Sequence, residues 1–289
     1  MSASLILGEL LLETRPPSVS SPRRLFEALA QYQLSPSCSL PNELLSHIFF
    51  LASHDYENDY DAVITPVWIS HVCSHWRQVA LLTGTLWTNL TLAFPVSRPQ
   101  LSKAITWLIR SQKHPIDILF DFRDPSWDWE EESHTFRWQD MEAILRLFLP
   151  HVQRWHRFEL LTDTWAPIFT FLWYTRKVES APILESLSLS RCNAYFASKQ
   201  ESFHPIKLKE PIPLFGGLPL EKLREVSLTG VHVEWSSSKL CDLTSLNFKY
   251  QASDVMPTLD EFIATLSTCA NLEQLSIIGW GPQFPAEPS

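Results

Sequence analysis

The sequence predicts an α/β protein in which a small all-helical segment leads into a curved, mostly parallel sheet. Two observations carry this. Apolar residues recur at helical spacing between residues 40 and 84, and from residue 85 onward short β-favouring runs alternate with helix-like stretches. At 289 residues and 45% apolar composition the chain can bury a substantial core.

The order of elements begins with a weakly specified lead-in over 1–39, helical in part or disordered. A Pro/Ser stretch lies near Pro16 and Pro22, and RRLFEALAQYQL spaces Leu25, Phe26, Leu29 and Tyr32 as an amphipathic helix would. Pro41 suits a first helical position, where its missing N–H is no loss, and Glu43 meets the positive end of the helix dipole. Leu44, Leu45, Ile48, Phe49 and Ala52 form one broad stripe behind them. The polar, acidic HDYENDYDAVITP reads as a surface loop ending at Pro66. A second helix is expected over 67–82, presenting Ile69, Val72, Cys73, Trp76, Val79 and Ala80 and stopping near Gly84.

Beyond it, LWTNLTL (86–92) and PIDILFDF (115–122) read as strands, and 101–111, 141–149 and 168–175 as helices. Four later segments fit L-x-x-L-x-L with apolar replacements, at Leu184, Leu187, Leu189; Leu223, Val226, Leu228; Leu243, Leu246, Phe248; and Leu272, Leu275, Ile277. Trp155, Phe158 and Leu160 match more loosely. The first positions are 29, 39, 20 and 29 residues apart, three of them in the range of leucine-rich repeats, with an insertion placed in 198–217. The region 85–289 therefore reads as an irregular leucine-rich-repeat solenoid, against the alternative of an ordinary α/β domain with leucine-rich strands.

Composition narrows the function. A net charge of −9 offers no cationic surface for nucleic acid or anionic lipid. The run at 5–12 contains Glu9 and lacks a preceding basic residue, so it resembles neither a secretory signal nor a membrane span. Five scattered cysteines without a C-x-x-C pair point to a reducing cytosolic or nuclear compartment. No phosphate-cradling glycine motif or nucleophile elbow occurs, and no cofactor is expected. Asp55, Glu57, Asp59 and Asp61 alternate like a calcium loop, but Tyr60 and Pro66 stand where glycine and glutamate are required. His71, Cys73 and His75 do not share one helical face, so no metal site is expected there. The carboxylates from Asp121 to Glu132 read as a strand-to-helix loop. Within it, Trp127 and Trp129 either tuck under the chain or serve as client-binding anchors for a basic or apolar patch.

The strings LPNELLSHIF, VCSHWRQVAL and TLWTNLTL together resemble a fungal F-box-like protein with a C-terminal leucine-rich-repeat region. Residues 40–84 match the F-box. The resemblance implies a non-catalytic adaptor. Its F-box would bind a Skp-family adaptor, and through it cullin and RING subunits, while its repeats hold a client for ubiquitin transfer. By motif, Leu40, Pro41, Leu44, Leu45, Ile48, Val72, Cys73 and Trp76 are expected at the adaptor interface. The sequence departs from the family in the acidic stretch 54–61, which lengthens the connection between the helices. Two rivals remain: an interaction scaffold with no part in ubiquitin transfer, and an α/β enzyme with a polar pocket at its strand ends.

Overall fold

The computed structural model describes residues 40–54, 59–129, 133–192, 208, 210–250, 255–279 and 281–284. The expectations for the lead-in, for most of the insertion and for residues 55–58 and 130–132 lie outside them.

The N-terminal helices are α1 (Asn42–His54), α2 (Asp59–Ser70) and α3 (Ser74–Leu82), packed on one another. Two expectations are corrected here. The helix expected over 67–82 is two helices, broken at His71 to Cys73, where the Cys73 sulfur caps α3 by accepting the Trp76 N–H at 3.4 Å. The acidic stretch is not a loop from Asp59 onward, since α2 begins there and runs through Pro66. Val63, Pro66 and Ile69 recur every three residues and are buried, and this burial outweighs the helix-breaking tendency of an internal proline. Pro41 stands one place earlier than expected, its carbonyl accepting the Leu45 N–H at 3.1 Å.

A short 3-10 turn, Gly84–Trp87, then delivers the chain to a seven-stranded parallel sheet. Its strands are β1 (Asn89–Ala93), β2 (Ile116–Asp121), β3 (Trp155–Thr162), β4 (Ser186–Arg191), β5 (Glu225–Thr229), β6 (Ser245–Lys249) and β7 (Gln274–Ile278). Spatial order equals sequence order, so every strand pairs only with its neighbours in the chain. Helices α4 (Arg98–Arg110), α5 (Trp138–Phe148), α6 (Trp165–Thr175) and α7 (Leu259–Ser267) fill some of the crossovers.

Strands β1, β2 and β4 to β6 bury alternate residues, and their other side chains stay partly open to solvent. The buried set meets the helices: Phe120 of β2 stands edge-on to Phe148 of α5 at 4.9 Å, and Phe158 of β3 stacks on Phe171 of α6 at 4.7 Å. The leucine pattern marks this set well. Leu184, Leu187, Leu189, Leu223, Val226, Leu228, Leu243, Leu246 and Phe248 are all buried, as are the looser Trp155, Phe158 and Leu160. In the last segment Leu275 and Ile277 remain exposed, because β7 has no strand beyond it among the described residues. The end of the expected insertion folds back into the core through Ile212, Leu214 and Phe215. Gly216 there has φ +63°, and a Cβ would stand 2.4 Å from the Arg176 carbonyl oxygen, so the turn requires glycine.

Candidate functional site

The helical segment divides its apolar residues between two directions. On α1, Leu45, Phe49 and Ser53 recur at four-residue spacing and are buried. Leu44, Ile48 and Leu51 form the adjacent row and stay 52%, 47% and 52% exposed. Phe49 packs against Trp76 of α3 at 4.8 Å. Ser46 and Thr83 join the two helices by a hydroxyl–hydroxyl hydrogen bond of 2.9 Å, and Arg77 Nε donates to the Ser70 carbonyl at 2.9 Å, tying α3 to the end of α2. The indole N–H of Trp87 donates to the Ala80 carbonyl at 2.9 Å and fastens α3 to the sheet domain. The outward rows therefore sit on a braced support.

Of the residues expected at an adaptor interface, Pro41, Leu44, Ile48 and Val72 are exposed. Leu45 is corrected: at 1% exposure it belongs to the core, since it points inward with Phe49 rather than outward with Leu44. Leu40, Cys73 and Trp76 are half-buried, Leu40 and Trp76 against the core and Cys73 as the cap of α3. Sequence reasoning missed Leu51, Ile64, Trp68, Leu81 and Leu82, all of them exposed. Leu51 was available from its spacing behind Leu44 and Ile48. Ile64 lay within the stretch read as a loop, and Trp68 fell on a helix placed in the wrong register. Scattered exposed apolar side chains are ordinary, and only larger contiguous apolar patches are enriched at interaction sites.

The open side of the sheet is mostly polar, with Leu119 and Leu161 as apolar members on β2 and β3. Cross-strand register places Glu159, Ser188, Ser227, Asn247 and Ser276 in one row, and Asp117, Arg157, Ser186, Glu225 and Ser245 in the row before it. His156 lies between carboxylates, its Nδ1 2.8 Å from Asp117 and its Nε2 3.3 Å from Glu185. Over β4 to β6 these two rows are mostly serine.

At the carboxyl ends of β2 to β4 the groups are tied to one another. The Arg123 guanidinium donates to both oxygens of Asp121, at 2.7 and 2.6 Å, and holds its carboxyl below the usual carboxylate range. Burial pushes the Cys192 thiol up, away from the thiolate a nucleophile needs. Asp163 accepts the Asp124 N–H at 2.6 Å and lies 3.2 Å from Nε2 of buried His134. On the other side of the ring, Nδ1 lies 3.1 Å from the Phe136 backbone nitrogen and 3.3 Å from the Phe136 carbonyl oxygen. Both expected client anchors lie on the loop this pair secures: Trp127 half-buried with its ring 5.6 Å from that of His134, and Trp129 exposed.

Among the described residues, no group of three or more His, Cys, Asp or Glu side chains is arranged to hold a metal ion, and no helix is long and apolar enough to cross a membrane. The four described cysteines are free thiols. No family model, curated protein or solved structure matches the chain.

Proposed function

We propose that the chain is a non-catalytic substrate-recruiting subunit of a Skp-cullin-F-box ubiquitin ligase. Residues 40–84 act as the F-box, and the sheet domain acts as an irregular leucine-rich-repeat solenoid that holds a client protein. The observation that carries the reading is the outward row Leu44, Ile48 and Leu51 on a helix whose other face is already committed to the core. Such a row is left to be covered by a partner. Burying each of these side chains is worth roughly 1.5–3 kcal/mol, enough in sum for firm association after entropic costs. Ile64, Trp68 and Val72 extend the same apolar character onto α2 and its exit.

Two features support the solenoid part. Strand order follows sequence order, as in stacked repeats that touch only their neighbours. The sheet also keeps an open polar face, whereas a doubly wound enzyme fold covers both faces and binds ligands where its strand order reverses. The mechanism is then proximity: a client held on the sheet domain meets the ubiquitin carrier at raised effective concentration. A cytosolic or nuclear setting goes with this role.

The test is co-purification with a Skp-family adaptor and cullin. Wild type brings down both. Leu44→Asp and Ile48→Asp each lose the adaptor while keeping the wild-type melting transition, because both side chains are exposed. Adaptor retained by the double variant removes the F-box reading; adaptor captured without cullin leaves a scaffold outside ubiquitin transfer.

A further inference from the structure

Strand β7 ends the sheet with a row of backbone groups that its one neighbour does not use. The Gln274 N–H donates to the Thr244 carbonyl at 3.0 Å and the Ile278 carbonyl accepts the Tyr250 N–H at 2.7 Å, so both residues turn their backbone groups toward β6. Backbone direction alternates along a strand. Ser276 therefore faces β6 as well, while Leu275 and Ile277 turn their N–H and C=O groups outward. Among the described residues, nothing meets these outward groups. Edge strands are normally blunted by charges, a proline, a bulge or a covering element. From Gln274 to Ile278 there is no charge and no proline, and the register on β6 is unbroken.

The other end of the sheet differs, and the difference selects the occupant. Strand β1 is abutted by α2 and α4, so a second copy cannot extend the sheet head to tail by laying its β1 on β7. Pairing β7 with β7 uses both bare edges at once and closes on itself. A two-fold axis perpendicular to the sheet at Ser276 makes that pair antiparallel. Leu275 of one copy then stands opposite Ile277 of the other, and the converse. These are the residues whose backbone groups point outward, so each facing pair can exchange both of its hydrogen bonds. A shift of one residue would set outward groups against residues that face β6.

The same register joins the cores. Leu275 lies beside Leu246 and Ile277 beside Phe248, both partners buried on the helix side of the sheet. The axis keeps that side common to the two copies, so the exposed Leu275 and Ile277 of each cover those of the other. Ser276 meets Ser276 on the open side, and no like charges face each other along the paired strands.

We infer that β7 is a dimerisation edge, through which two copies of the chain pair antiparallel at Leu275 and Ile277 and join their sheets into one. This pairing is independent of the ligase reading. The test is sedimentation equilibrium of the full chain over a dilution series, with amide hydrogen exchange followed on the same samples. At high concentration wild type has twice the mass of one chain, and the Leu275 and Ile277 amides exchange slowly. Dilution halves the mass and returns β7 to the fast exchange of an open edge. Leu275→Lys sets a charge within the pairing and leaves a single chain at every concentration. Leu275→Pro removes an outward N–H while sparing the bonds to β6, and it also leaves a single chain. Loss of the dimer in Leu275→Lys but not in Leu275→Pro would mean apolar docking without strand pairing, and overturns the inference. So does a wild type that stays single at every concentration, or one that forms species larger than a dimer. Leu275 and Ile277 amides that stay slow at every dilution also overturn it, since the edge would then be covered within one chain. The dilution series uses wild type alone, so it decides the matter even where a substitution unsettles β7.

Discussion

Leu44 and Leu45 are adjacent, chemically identical and oppositely placed: one faces solvent and the other is sealed in the core. Nothing in the local sequence separates them, because both fall within the same broad apolar stripe. The choice is made by Trp76 and Ser46–Thr83 contacts across to α3, which fix the rotation of α1 about its axis. Residue-level placement was more legible in the strands, where a period of two leaves only two faces to choose between. Electrostatics adds a residue-scale prediction. The carboxyl of Asp121 is held low chiefly by its hydrogen bond from Arg123. A depressed carboxylate stabilises the fold above its unfolded value, near 3.9, and loses that contribution as pH falls through the folded value. Asp121→Asn should therefore cost below about 1 kcal/mol at neutral pH, since the pair is partly exposed, and the gap from wild type should close below about pH 4 in urea titrations.

At the scale of elements, helices with strong periodicity were readable to within a few residues: α4 begins three residues earlier than 101, and α5 three earlier than 141. Two helices escaped, α7 and α2, and the one that bears on the candidate site is α2. Its acidic start and internal proline are loop signals, and only the long-range burial of Val63 and Ile69 overrides them. That miss also concealed Ile64 and Trp68 from the candidate site, so the error in one element propagated into the function reading. Element ends show local chemistry more plainly. Thr258 caps α7 by accepting the Glu261 N–H at 3.3 Å, and the Glu261 carboxylate accepts the Thr258 N–H at 2.9 Å. Thr258→Ala is expected to cost about 0.5–2 kcal/mol in the denaturation midpoint, while Thr258→Ser restores most of it.

Across the whole molecule, the alternation of elements made a parallel sheet legible, and the recurrence of leucines at repeat spacing made its buried side legible too. The unbroken 1-to-7 strand order was not fully so, since the 39-residue step from Leu184 to Leu223 left room for another arrangement. The two ends of the sheet differ. Strand β1 is abutted by α2 and α4, whereas β7 shows Leu275, Ile277 and Ile278 to solvent. Amide hydrogen exchange should report this as a gradient, slow in β2 to β4 and fastest in β7, with protection lost from the C-terminal side first under mild denaturant. Uniform protection across all seven strands would show instead that the sheet opens as a single unit.

The same neighbour-only pairing bears on how the protein is made. A strand leaving the ribosome always finds its one required partner already synthesised: β2 needs only β1, β3 needs only β2, and no strand waits for a segment beyond the next. The helical segment, made before the sheet, supplies the covered edge against which β1 can settle. Assembly can thus keep pace with translation, each new strand pairing on the edge left by the one before it while its apolar face waits for the helix that follows.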